Sequence, residues 1–171
     1  ILRVFKISNF LLKTDYNIIS TGGTLQYILN NLDEENKADK NIKNRIIQVS
    51  DYTGYPEILE GRVKTLHPKI YGGLLYDPSI ESHTKEFEKI NAGDDKITRI
   101  DLVVANLYPF EKVVKSGGDE MSCIENIDIG GVSLIRAAAK NYKNVMLLVD
   151  PKEYKSFIDS YYYCDKLETF K

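Results

Sequence analysis

Apolar positions along the chain change period several times, and each change marks an element. Ile1, Val4, Phe5, Phe10, Leu11 and Leu12 recur at three-to-four spacing and predict a helix over the first dozen residues. Tyr16 to Ile19 reads as a short strand. After Ser20-Thr21-Gly22-Gly23-Thr24, the stripe Leu25, Ile28, Leu29, Leu32 predicts an amphipathic helix. Residues 33–44 are polar and charged and are expected to form a solvated loop. Ile46 to Val49 is the next strand, followed by the turn-rich 51–56 and an irregular stretch that carries Gly61 to Lys69. Pro78 opens a helix expected to run through Ile90, and 92–98 is a second polar loop. Ile100 to Leu107 is almost continuously hydrophobic, the pattern of a strand buried on both faces of a parallel sheet. A short helix at 121–126, an alanine-rich helix at 132–140 and a core strand at 145–149 follow. Asp150-Pro151-Lys152-Glu153 supplies an N-cap, an N1 proline and an N3 glutamate for a final helix buried through Tyr154, Phe157, Ile158 and Tyr161. Strands alternating with helices predict an α/β domain with an open, mostly parallel sheet covered by helices on both faces. Ligands in such folds sit beyond the carboxyl ends of the strands.

Composition narrows the function. A chain of 171 residues, 43% hydrophobic and 28% charged, has the make-up of a globular domain, and no apolar run approaches the length of a membrane span. Twenty-three basic against 25 acidic residues give a net charge of −2, so no nucleic-acid partner and no membrane are expected, and an anionic ligand needs a local site. Two cysteines cannot form a disulfide framework and point to a reducing, cytoplasmic setting. His67, His83, Cys123 and Cys164 lack metal-ligand spacing, so no metal is expected. Cys123 is expected to be buried rather than nucleophilic.

Four constellations fall at predicted strand ends. The Thr21-Gly22-Gly23-Thr24 turn precedes a helix, where backbone amides and hydroxyls suit a phosphate; a plain turn with a Ser/Thr N-cap fits equally well. Arg62, Lys64, His67 and Lys69, with Thr65 among them, form the densest basic cluster, which reads either as an anion-binding loop or as a solvated one. Asn106 and Tyr108 end the hydrophobic strand and would face the ligand crevice. Asp128, ahead of Gly130 and Gly131, could deprotonate an amide or simply cap the following helix.

Taken together and in order, STGGT, SDYTGYPE, GRVKTLHPKIYGG, DLVVANLYPF, ENIDIGG and RAAAKNY resemble the inosine monophosphate (IMP) cyclohydrolase domain family over about residues 1–160. In that family the domain is joined to an AICAR transformylase half. The resemblance implies a methylglyoxal-synthase-like fold and the last ring closure of purine synthesis. The carboxamide nitrogen of 5-formamidoimidazole-4-carboxamide ribotide (FAICAR) attacks its formyl carbon and water leaves, a reaction that implies no cofactor and no metal. It implies that Lys64 steadies and protonates the formyl oxygen, that Tyr108 and Asp128 attend the carboxamide, and that Lys140 positions the substrate. Thr21, Gly22, Gly23, Thr24, Arg62, Thr65 and Asn106 match substrate- and phosphate-contacting positions, and Ile129 and Gly130 match backbone contacts to the base. It further implies a purine ribonucleotide as partner and a homodimer in the full-length protein. Family members begin with a strand and a loop resembling Ser-Val-Ser-Asp-Lys-Thr-Gly, whereas this chain opens in the following helix. The expectation is therefore one domain over 1–171 that lacks that strand and phosphate loop and holds no transformylase half. Two other readings share the fold. One is a non-catalytic nucleotide-binding regulatory module, which has no use for the lysine–tyrosine–aspartate set. The other is a phosphate-eliminating lyase, of which GRVKTLHP and NLYPF are not signatures.

Overall fold

The computed structural model describes residues 4–163. Elements run α1 (Val4–Leu12), β1 (Ile18–Ser20), α2 (Gly22–Asn30), α3 (Glu34–Ala38), a 3-10 turn (Ile42–Arg45), β2 (Ile46–Gln48), α4 (Val49–Thr53), α5 (Pro68–Leu75), α6 (Glu81–Asn91), β3 (Leu102–Val104), α7 (Phe110–Lys115), α8 (Glu120–Glu125), α9 (Gly130–Lys140), β4 (Met146–Leu148) and α10 (Glu153–Tyr163). Alternation of helix and strand is as the apolar pattern predicts. The strands are shorter than predicted and pair as two two-stranded parallel sheets, β1 with β2 and β3 with β4. Among the described residues no helix is long and apolar enough to cross a membrane. The chain divides into two compact units, one from residues up to His67 together with those from Asp150 onward, the other from Pro68 to Val149.

In the first unit, Leu12, Leu25, Ile28, Leu32, Ile42 and Ile46 form one buried cluster. Each such side chain removed from water contributes about 1.5–3 kcal/mol, so this cluster holds α1, α2 and β2 together. Helix α10 covers α1, with the Phe10 ring edge-on to Phe157 and to Tyr161. Its start is the predicted capping box: Glu153 accepts from the Asp150 amide at 3.2 Å, and Asp150 Oδ1 accepts from the Lys152 amide at 2.9 Å.

Residues 33–44 are not the expected solvated loop. Asp33 caps α3 by accepting from the Asn36 amide at 2.9 Å, and the buried Asn36 side chain donates to both the carbonyl and the side-chain oxygen of Asn9. Ile42, 4% exposed, drops into the core. Polar anchors inside a charged segment hide this order from any hydrophobic period. Residues 51–56 likewise begin as helix, since α4 runs to Thr53 and ends on Gly54 in the left-handed region (φ 71°).

In the second unit, β3 occupies only three residues of the predicted 100–107 strand. Hydrogen bonds from Met146 N to Asp101 O and from Ala105 N to Leu148 O extend the pairing by one residue at each end. Helix α5 packs on α9, and the buried Asn141 just after α9 donates to the Leu74 and Tyr76 carbonyls at 2.8 and 2.9 Å. Gly73 permits the close approach of residues 98–100, because a β-carbon there would lie 2.3 Å from the Thr98 carbonyl oxygen. Cys123 is half-buried on α8, its thiol toward the Gly118 carbonyl, rather than buried as expected; Cys164 lies outside the described residues.

Candidate functional site

The glycine-rich turn leads directly from β1 into α2. Thr21 takes the N-cap position in extended conformation, yet its side chain makes no capping bond, so the plain N-cap reading of this turn does not hold for its hydroxyl. Leu25 N bonds back to Thr21 O at 2.8 Å. Gly23 is exposed, and a β-carbon there would meet nothing within 4 Å. The space beside Gly23 in the first turn is open, near the helix end whose dipole and amides favour an anion, whereas the Gln48 and Glu57 side chains lie 3.8 Å from where a β-carbon on Gly22 would be.

The GRVK segment is shaped by an unusual turn. Leu59, Glu60 and Gly61 all have positive φ (53°, 54° and 81°), and Gly61 N and Arg62 N bond to Ile58 O and Leu59 O at 3.1 Å each. An antiparallel bridge between Ile58 and Val63 closes this left-handed turn. Non-glycine residues rarely enter that region, because the β-carbon crowds the following carbonyl. The consequence is local. Lys64 folds back over Gly61 so tightly that a β-carbon at 61 would lie 2.6 Å from Lys64 Cε and 2.9 Å from Nζ. The ammonium meets Glu57 Oε2 at 3.4 Å, with side-chain exposures of 32% and 26%. Beside this pair lies a hollow of about 300 Å³ bounded by Tyr55, Ile58, Val63, Lys64, Leu66 and His67. Glu57 also reaches the glycine turn, its Oε1 lying 3.8 Å from where a β-carbon on Gly22 would be. Thus Thr21, Gly22, Gly23, Thr24, Lys64 and the half-buried Thr65 all belong to the first unit, together with the exposed Arg62. Lys69 belongs to the second unit, where it pairs with Asp95 at 2.5 Å.

In the second unit the NLYPF and IDIGG motifs meet at Gly131. A β-carbon there would lie 2.7 and 2.9 Å from the Asp128 carboxylate oxygens and 2.9 Å from Leu107 Cδ2. Asp128 Oδ1 accepts from the Gly131 amide at 2.7 Å, so this carboxylate does bond the first turn of α9, the capping role left open by sequence. Half-buried Asn106 and exposed Tyr108 (58%) flank Leu107, while Ile129 (58% exposed) and Gly130 lead into the helix. Lys140 is not brought to this cluster. It stands exposed in the last turn of α9, ten residues from Gly130 and hence about 15 Å along the axis. On the α5–α9 contact, burial pushes the Tyr71 phenol above its ordinary pKa, against the opposing effect of the Ser133 hydroxyl. Among the described residues no group of three His, Cys, Asp or Glu side chains is arranged to hold a metal. Glu57 was not singled out by the sequence; its one visible signal is a carboxylate fixed behind Pro56, seven positions ahead of the lysine.

Comparison with known proteins agrees with this architecture. The profile of the MGS-like domain family matches residues 3–133. Proteins described as the bifunctional purine biosynthesis protein PurH are similar over most of this chain. That of Prochlorococcus marinus subsp. pastoris is 45% identical over 93% of this chain and 28% of its own length. Those of Thermoanaerobacter sp. and Clostridioides difficile are 52% and 48% identical, over 84% and 91% of this chain and 25% and 28% of theirs. This chain therefore spans about a quarter of the length of the curated relatives it matches. The crystal structure of ForH is similar with a TM-score of 0.66 at 27% identity, covering 95% of this chain and 74% of that one. By the extent of the profile match and the shared α/β architecture, this chain belongs to the MGS-like domain family.

Proposed function

We propose that this chain carries IMP cyclohydrolase activity and closes the ring of FAICAR, with loss of water, in the last step of purine biosynthesis. The observation that carries the reading is the Lys64 ammonium, held by Glu57 over Gly61 beside an open hollow. PurH relatives at 45–52% identity support it.

Both reacting groups sit on one substrate, so the chemistry asks for orientation and proton movement. The carboxamide nitrogen forms a bond to the formyl carbon and loses one proton, and the formamido nitrogen loses a second as the ring C=N bond forms; the formyl C–O bond breaks, and its oxygen takes up both protons and departs as water. Lys64 is assigned to the formyl oxygen, where its positive charge stabilises developing oxyanion character and its proton assists departure. Asp128 is assigned to the carboxamide, with one oxygen steadied by the Gly131 amide, and Tyr108 to its orientation. Thr21 to Thr24, Arg62 and Thr65 are assigned to the 5′-phosphate, Asn106 to the substrate, and Ile129 and Gly130 to the base. Lys140 is assigned substrate positioning from its motif. Cytoplasmic location and a homodimeric full-length protein belong to the same proposal.

The test is formation of IMP from FAICAR, followed by absorbance with the protein as its cell produces it. Ring closure above the uncatalysed rate is the expected result. Nucleotide binding without turnover would instead identify the domain as a regulatory binding module.

A further inference from the structure

We propose that Glu57 is a positioning residue for the Lys64 amine, an inference that rests on the cyclohydrolase reading above. A lysine ammonium ends four rotatable bonds, so left to itself it samples many placements. Three features remove that freedom here. The left-handed turn at 59–61 puts Gly61 beneath the chain tip, with Cε and Nζ closer than any β-carbon would tolerate. Glu57 Oε2 meets the ammonium at 3.4 Å from within a half-buried setting. Pro56 fixes the backbone φ immediately before that carboxylate.

The other oxygen makes the case. Glu57 Oε1 is buried and has no hydrogen-bond partner. A buried carboxylate oxygen without a donor costs free energy, so fold stability gives no reason for this placement. Holding Lys64 does give one. With Oε2 on the amine and Oε1 facing the Gly22 side of the turn, the carboxylate sets where the lysine stands relative to the proposed phosphate position. Glu57 does not itself touch the reacting atoms. Its contribution is to keep the amine within reach of the formyl oxygen, where a displacement of about 1 Å can cost on the order of 100-fold in rate.

The experiment compares kcat, KM and thermal unfolding for wild type, Glu57→Gln, Glu57→Asp and Glu57→Ala in FAICAR ring closure. Glu57→Gln keeps the shape and removes the charge. It is expected to lower kcat by about 10- to 100-fold, with KM within about twofold and an unfolding temperature no lower than wild type. Glu57→Asp, which keeps the charge on a shorter arm, should retain more kcat than either neutral variant. Wild-type kcat in both Glu57→Gln and Glu57→Ala would overturn the inference. So would losses of kcat that track falling unfolding temperature, with Glu57→Asp no better than Glu57→Ala. Absence of ring closure in wild type would instead defeat the functional reading, and this inference with it.

Discussion

Arg45 shows how much one side chain organises. Its guanidinium donates to the carbonyls of Leu12 at 2.8 Å and Tyr16 at 2.6 Å, and also to that of Thr14, gathering the chain between α1 and β1. Arg45→Met keeps the apolar stem but leaves half-buried carbonyls without their donor. A loss of about 2–4 kcal/mol in unfolding free energy is expected, measurable as a lower urea midpoint at unchanged slope. Gly131 is the corresponding position beside the proposed chemistry. Alanine ordinarily favours a helix, but here its β-carbon would press on both Asp128 oxygens and on Leu107. Gly131→Ala should therefore lower ring-closure kcat by about tenfold or more, whereas alanine at Gly23, where the space is open, meets no such obstruction. Residue-level chemistry was only partly legible in the sequence. Lys64, Tyr108 and Asp128 stood out by motif, but the backbone amide that Asp128 holds, and the carboxylate beside Lys64, are set by folded turns that leave no periodic trace.

At the scale of elements, apolar stripes located α2 and α10 to within a turn at each end, because Leu25 and Ile28 in the one and Tyr154 and Phe157 in the other are buried at helical spacing, while Ile158 and Tyr161 are only half-buried. Helix α3 escaped notice because what fixes it is polar: Asp33 at its cap, Asn36 on Asn9, and Lys13 bridging Asp33 and Glu35 at 3.2 and 2.5 Å. The full length of the 100–107 run misled in the other direction, since hydrophobic residues continue beyond the three that pair as strand. The α3 anchor titrates. Burial pushes the Asp33 carboxyl upward, but the Asn36 amide and the Lys13 ammonium outweigh it and hold the pKa below the ordinary value. A depressed folded pKa gives stability that is present above the unfolded value of about 3.9 and is lost as pH falls through the folded one. Lys13 is raised, mainly by its bond to Glu35, so its contribution is present below the unfolded value and is lost on the alkaline side. Urea midpoints measured from pH 6 to pH 3 should fall in wild type. They should fall less steeply in Asp33→Asn, which keeps a capping side chain but cannot titrate.

At the scale of the whole molecule, the first unit is assembled from both ends of the described chain: α10 returns to cover α1 through Phe157 and Tyr161 on Phe10. Tyr154 and Phe157 are 2% and 4% exposed, so ending the chain at Val149 would uncover both their partners and the Phe10 face. That truncation should leave the first unit open to proteolysis while wild type resists it, a difference that limited digestion detects. With a net charge of only −2, the molecule offers no broad field to gather an anionic nucleotide, so affinity and chemistry must come from placed groups such as Lys64. The most direct measurement is the single-turnover rate of FAICAR ring closure in wild type and in Lys64→Ala, with nucleotide binding followed in parallel. A fall of about 100- to 10,000-fold in rate, with binding largely retained, is the predicted result. Ring closure at the wild-type rate without the lysine would contradict the account.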